Sequence, residues 1–70
     1  MELNRYALTA IREAKSISKA DLARAIEVDR TLITRFENGQ RPASQAQIQA
    51  MAKTLGVSVL ALTGALPAAA

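Results

Sequence analysis

Arg30, Thr31, Thr34 and Arg35 are the residues whose types and spacing could do chemistry. At helical spacing they share the face opposite Leu32, Ile33 and Phe36, which supply an inward apolar stripe. Arginine can donate two parallel hydrogen bonds to guanine O6 and N7. Threonine can bond a base edge or set its methyl against that of thymine, so a short helix with this outer face suits a DNA major groove. For each arginine the alternative is a phosphate contact, which carries affinity without sequence information. Leu32 also has two readings: core, or contact with a thymine methyl or the sugar backbone.

Such a face needs a scaffold that holds it outward, and the residues before it spell one. Ser18 followed by Asp21 is a capping pattern, and Leu22, Ala23 and Ile26 then fall on one helical face. Val28 plugs the turn, and Asp29 is placed to cap the next helix. Ala23 is small where two helices must cross closely. Asn38-Gly39 ends the second helix, since glycine suits a left-handed C-cap.

The run Ser18, Leu22, Ala23, Ile26, Val28, Ile33, Glu37, Asn38 and Gly39, with Pro42 soon after, resembles the helix-turn-helix of the phage repressor and Cro family, also called the XRE family. The resemblance implies an all-α fold, a compact bundle of five short helices of the lambda-repressor type. It matches Arg30, Thr31 and Arg35 to base-contacting positions and Thr34 to a neighbouring one. It also sets the loop after Asn38, and the helix start that follows, along the sugar-phosphate chain. Asn38, Gln40, Arg41 and Ser44 are therefore expected phosphate contacts, with Ser18 and Lys19 at the start of the preceding helix. Lys19 stands where the family more often has glutamine. The charge contact is kept, while the amide's paired hydrogen bonding is lost.

Two further positions draw meaning from the resemblance. An arginine at Arg12 commonly pairs with the glutamate matching Glu37, tying the first helix to the end of the recognition helix; the alternative is a solvated helix arginine. Glu27 stands where the family usually has glycine, because a left-handed backbone is cheap only for glycine. Glutamate there either accepts strain of roughly 1 kcal/mol or forces a different turn.

Along the chain, a first helix is expected over about 4–14, with Asn4 as cap, Leu8 and Ile11 inward and Tyr6 half-buried at the edge. Ser44 with Gln47 makes a second capping box ahead of a scaffold helix over about 45–55. Its inward residues are Ile48, Met51, Ala52 and Leu55, and Gly56 stops it. Ser58 starts a last short helix that closes at Gly64. Residues 1–64 are expected to form the DNA-binding domain and residues 65–70 a frayed tail. Relatives often have polar or acidic residues where Leu60 and Ala61 fall. With Leu66, these form an apolar patch expected to be a homodimer interface. Alternatively, Leu60 folds back over the first helix and the chain dimerises only on DNA.

Seventy residues suit one domain, which at this size buries only roughly 60% of its unfolded surface. The formal charge is +3. Eight of nine cationic residues lie between Arg5 and Arg41, and no acid follows Glu37. On the outer positions of a helix-turn-helix this becomes a footprint for phosphates. There is no cysteine or histidine, and the carboxylates are scattered, so no acid/base pair, metal cluster or cofactor site suggests itself. Catalysis and a small-molecule substrate have the least support. The start of the chain lacks a signal pattern and its apolar end is too short to span a bilayer. The cytoplasm of a bacterium or phage-infected bacterium is the expected compartment. The expected function is sequence-specific regulation at a two-fold symmetric double-stranded operator, as a small repressor or Cro-like protein. A protein-interaction role of the antitoxin type is the alternative. Antitoxins generally add a toxin-wrapping segment, and only six residues follow Gly64, which favours regulation.

Overall fold

The computed structural model describes residues 2–64. Five helices follow in order: α1 (Arg5–Ala14), α2 (Lys19–Ala25), α3 (Arg30–Glu37), α4 (Gln45–Leu55) and α5 (Val59–Thr63). No strand occurs among the described residues. The helices start where short polar side chains can take up orphan backbone N–H groups. The Asn4 side chain accepts from Tyr6 and Ala7, that of Ser18 from Asp21, and that of Ser58 from Ala61. Ser44 and Gln47 bond each other reciprocally. The expected side-chain cap at Asp29 does not form: its backbone is extended in the usual cap conformation, but its carboxylate accepts nothing from α3.

The ends of α1 to α4 share one device. Beyond each helix one residue turns left-handed, its N–H and that of the next residue bonding back to the last turn. The four turning residues are Ser16 (φ 56°), Glu27 (φ 61°), Gly39 (φ 72°) and Gly56 (φ 71°). The 6→1 bonds run from Ile17 to Arg12, Val28 to Ala23, Gln40 to Arg35 and Val57 to Ala52, at 2.9 to 3.1 Å. Ile17, Val28 and Val57 pack against the core as they close their turns. Gln40, which closes α3, is exposed instead, because α3 ends at an open rim. Glu27 thus adopts the strained glycine-like conformation, and Ser16, which carries no glycine signal, does so too.

The core is built from all five helices. Leu8, Leu22, Ile33, Phe36, Ile48, Met51 and Leu62 are fully buried, each contributing about 1.5–3 kcal/mol of transfer free energy before entropy is counted. Ala23, 3% exposed, lies where α2 packs on α3. Leu32 is half-buried against this core, as the core reading required. Tyr6 departs from expectation: it is 64% exposed, because the stripe of α1 turns Ala7 and Leu8 inward and leaves position 6 outside. The Asn4 N–H donates to the Leu62 carbonyl at 2.6 Å and its side-chain amide to Gly64 at 3.3 Å. The start of α1 is thereby fastened to the end of α5.

Candidate nucleic-acid interface

On α3, positions 30, 31, 34 and 35 span an arc of about 140° at 100° per residue, and 32, 33 and 36 occupy the other side. Burial follows that arithmetic. Ile33 and Phe36 are buried, Leu32 and Thr34 half-buried, and Arg30, Thr31 and Arg35 exposed. Arg30 and Thr34 are one turn apart, as are Thr31 and Arg35, so the outer face is two short rows of one arginine and one threonine each.

Two elements bring further polar groups to this face. At one flank, Ser18, Lys19 and Ala20 from the start of α2 join Arg30 and Thr34 around an open cleft, with Arg12 in its wall. At the other, Arg41 and Ser44 line a cleft that reaches Leu32 and Phe36 at the back of α3. Asn38, Gln40 and Arg41 are all exposed along the connecting loop.

The hydrogen bonds show which groups are left to bind a ligand. The side chains of Lys19, Arg30, Arg35 and Arg41 have no hydrogen bond or ion pair with any described residue. Arg24, by contrast, is paired at 3.3 Å with Asp21 on the exposed side of α2, where such pairs contribute little. The backbone N–H groups of Asn38 and Gln40 are used by the end of α3, so these residues can offer only their side-chain amides. The Ser44 N–H is taken by Gln47 at 2.9 Å. Ser18 and Ser44 use their oxygens to accept cap bonds, and each keeps a hydroxyl hydrogen to donate.

Arg12 does not belong to the free set. Its Nε donates to Glu37 Oε2 at 2.6 Å, one terminal nitrogen to Glu37 Oε1 at 3.2 Å and the other to the Ile17 carbonyl at 2.9 Å. The side chains are 10% and 6% exposed. The hydrogen bond to Glu37 raises the Arg12 pKa above the usual arginine range, against the opposing effect of burial. The charges of Glu37 and Glu13 reinforce it. A raised pKa on a cation means its stabilisation is complete below the ordinary guanidinium range and is lost only as pH climbs beyond it. The arginine therefore adds no pH dependence near neutrality.

Leu60 is 65% exposed and Ala61 half-buried on α5; Leu66 lies outside the described residues. Among the described residues no group of His, Cys, Asp or Glu is placed to hold a metal. No helix there is long and apolar enough to cross a membrane. One polar residue at this rim, Arg5, escaped the sequence reading. Its only sequence signal was its place seven residues before Arg12, on the same stripe of α1.

The fold and this cationic face define a helix-turn-helix DNA-binding domain. Over residues 8–62 the chain matches the helix-turn-helix family of the XRE type and belongs to it. It is similar to the crystal structure of a hypothetical transcription factor, NHTF, from Neisseria. The identity is 30% over 93% of this chain and 72% of that one, with a TM-score of 0.78. The wild-type restriction-modification controller protein C.Esp1396I is 30% identical over 77% of this chain and 71% of that one, with a TM-score of 0.72. The clp gene regulator ClgR from Corynebacterium glutamicum is 27% identical over 79% of this chain, with a TM-score of 0.77. The chain spans 58% of that structure's length. No curated protein matches the sequence.

Proposed function

We propose that this chain is a transcription regulator that binds a two-fold symmetric double-stranded DNA operator as a homodimer, with α3 of each subunit in the major groove. The observation that carries this reading is that the four cations on α3 and its two flanks, Lys19, Arg30, Arg35 and Arg41, have no side-chain partner among the described residues. Cations left solvated on one face of a small domain are what phosphate binding requires. Two of them stand in the arginine–threonine rows of α3.

In this arrangement Arg30 and Arg35 take guanine edges, each good bidentate pair supplying about 1–3 kcal/mol of discrimination. Thr31 and Thr34 bond base edges or pack on thymine methyls. Ser18 and Lys19 hold phosphates on one side of the groove; Asn38, Gln40, Arg41 and Ser44 hold them on the other. The rigid link between Arg12 and Glu37 keeps the end of α3 at a set height above the core. Leu60 and Ala61 form the subunit contact that places two α3 helices about 34 Å apart, one turn of duplex. Regulation follows by covering a promoter, as a small repressor or Cro-like protein does, in the cytoplasm. The controller and regulator structures to which the chain is similar support this class.

The test is selection of bound sequences from a random duplex pool. The proposal expects enrichment of an inverted repeat with half-site centres about 10 base pairs apart. Recovery of a pool with no enriched sequence, or of a single unrepeated half-site, contradicts it.

A further inference from the structure

Beside the α3–α4 loop, adjoining the flank that Arg41 and Ser44 line, Arg5 and Arg41 line a third open cleft. Arg5 is held there by two neighbours. Its guanidinium lies over the Tyr6 ring, 4.5 Å from the centroid, and one terminal nitrogen donates to the Tyr6 hydroxyl at 2.6 Å. Its stem lies flat against Gly39: a Cβ built there would stand 3.0 Å from Arg5 Cδ and 3.2 Å from Nε. A side chain there would press on the arginine stem and move it by a few tenths of an ångström, and the left-handed turn favours the same residue.

This is an unusual investment in an arginine that pairs with no carboxylate. Glu2 lines the same cleft, yet neither Arg5 nor Arg41 forms an ion pair with any described residue. A guanidinium has five N–H donors, and Tyr6 occupies one nitrogen. An arginine stem fixed on an aromatic ring has lost part of its rotamer freedom before any ligand arrives, which lowers the entropic cost of binding one. Arg5 precedes Arg12 by two helical turns on one stripe of α1, so α1 presents two arginines along the edge where α3 ends. One is consumed by Glu37. The other stands against Gly39, between Asn38 and Gln40.

We infer that Arg5 is a further DNA-backbone ligand: with Arg41 it grips a phosphate beyond the groove read by α3, and Tyr6 is the residue that positions it. The inference rests on the DNA-binding reading above and extends its contact surface from α2, α3 and the loop onto the start of α1. The ligand is a phosphodiester, so the contribution is independent of base sequence.

The experiment is anisotropy titration of a labelled random-sequence 30-base-pair duplex between 50 and 300 mM salt. Wild type is compared with Arg5→Gln, Arg5→Lys, Tyr6→Phe and, as control, Arg24→Gln. Arg5→Gln should lower the slope of log K against log salt by about 0.9 for each subunit bound. Arg5→Lys should keep the slope, and Arg24→Gln should match wild type. Tyr6→Phe should weaken binding at fixed salt with an unchanged slope, since the charge stays and only its placement loosens. A wild-type slope for Arg5→Gln, or an equal loss in Arg24→Gln, overturns the inference while leaving the operator reading intact. Failure of wild type to bind the duplex at all removes the reading on which it rests. Thermal melts of each variant check that folding is retained; a folded Arg5→Gln with an unaltered slope is decisive against the site.

Discussion

Arg12 and Glu37, 25 residues apart in sequence, are joined by two hydrogen bonds of 2.6 and 3.2 Å in a nearly dry setting. A third bond from Arg12 to the Ile17 carbonyl uses the remaining end of the guanidinium. The same side chain thus fixes two things. It anchors the last residue of α3 to α1, and it holds the turn that leads into α2.

Breaking this pair from one side strands the other charge. Glu37→Leu is expected to cost about 3–5 kcal/mol, a large part of the roughly 4–10 kcal/mol available to a chain of this length. The double change Arg12→Met with Glu37→Leu should cost less than either single change, because no buried charge is left uncompensated. Urea unfolding of the four proteins measures the coupling. Additive losses would show that the pair is solvated rather than buried.

The turns at Ser16 and Glu27 predict gains. Both residues hold a left-handed backbone, which costs a non-glycine residue roughly 1–2 kcal/mol. Glycine removes that strain but loosens the unfolded chain, so a net gain of about 0.5–1 kcal/mol is expected for each. That corresponds to a melting point higher by about 2–8 °C for Ser16→Gly and for Glu27→Gly. Gly56→Ala runs the comparison backwards. Nothing lies within 4 Å of a Cβ at that site, so its fall in melting point reports backbone strain, offset only by the stiffer unfolded chain and free of any steric clash. A drop in Glu27→Gly would show that the glutamate side chain contributes more than its turn costs.

Most of the frame was legible because period and capping agree. Ile48, Met51, Ala52 and Leu55 fall at helical spacing between a Ser44–Gln47 box and Gly56, and α4 occupies that span, Gln45–Leu55. The outer face of α3 was legible for the same reason, as the complement of Ile33 and Phe36. Other features were not. Ser16 turns left-handed without a glycine to announce it, because Ile17 gains enough burial to impose the turn. Asp29 has the right type for a cap and forms no cap bond, since type and position do not determine a side-chain rotamer. Arg5 looked like any solvated arginine; its role depends on Gly39, which is 34 residues away along the chain and adjacent only after folding.

Leu60 predicts the assembly. It is a large apolar side chain left 65% exposed on α5, and the proposed subunit contact covers it. Leu60→Glu should shift the protein toward monomer in sedimentation equilibrium and weaken operator binding at least tenfold, with little change in the melting point of the monomer. If Leu60→Glu keeps the wild-type mass and affinity, α5 is not the contact and two-fold operator binding needs another surface.

The central claim is that α3 reads bases with its arginine–threonine rows, and selection from random DNA with wild type, Arg30→Ala and Arg35→Ala tests it most directly. Each variant should return the same inverted repeat with preference lost at one defined position in both halves, a discrimination of about 1–3 kcal/mol per position. If both variants weaken binding to every sequence alike and leave the recovered motif unchanged, the arginines of α3 hold phosphates and base reading lies elsewhere.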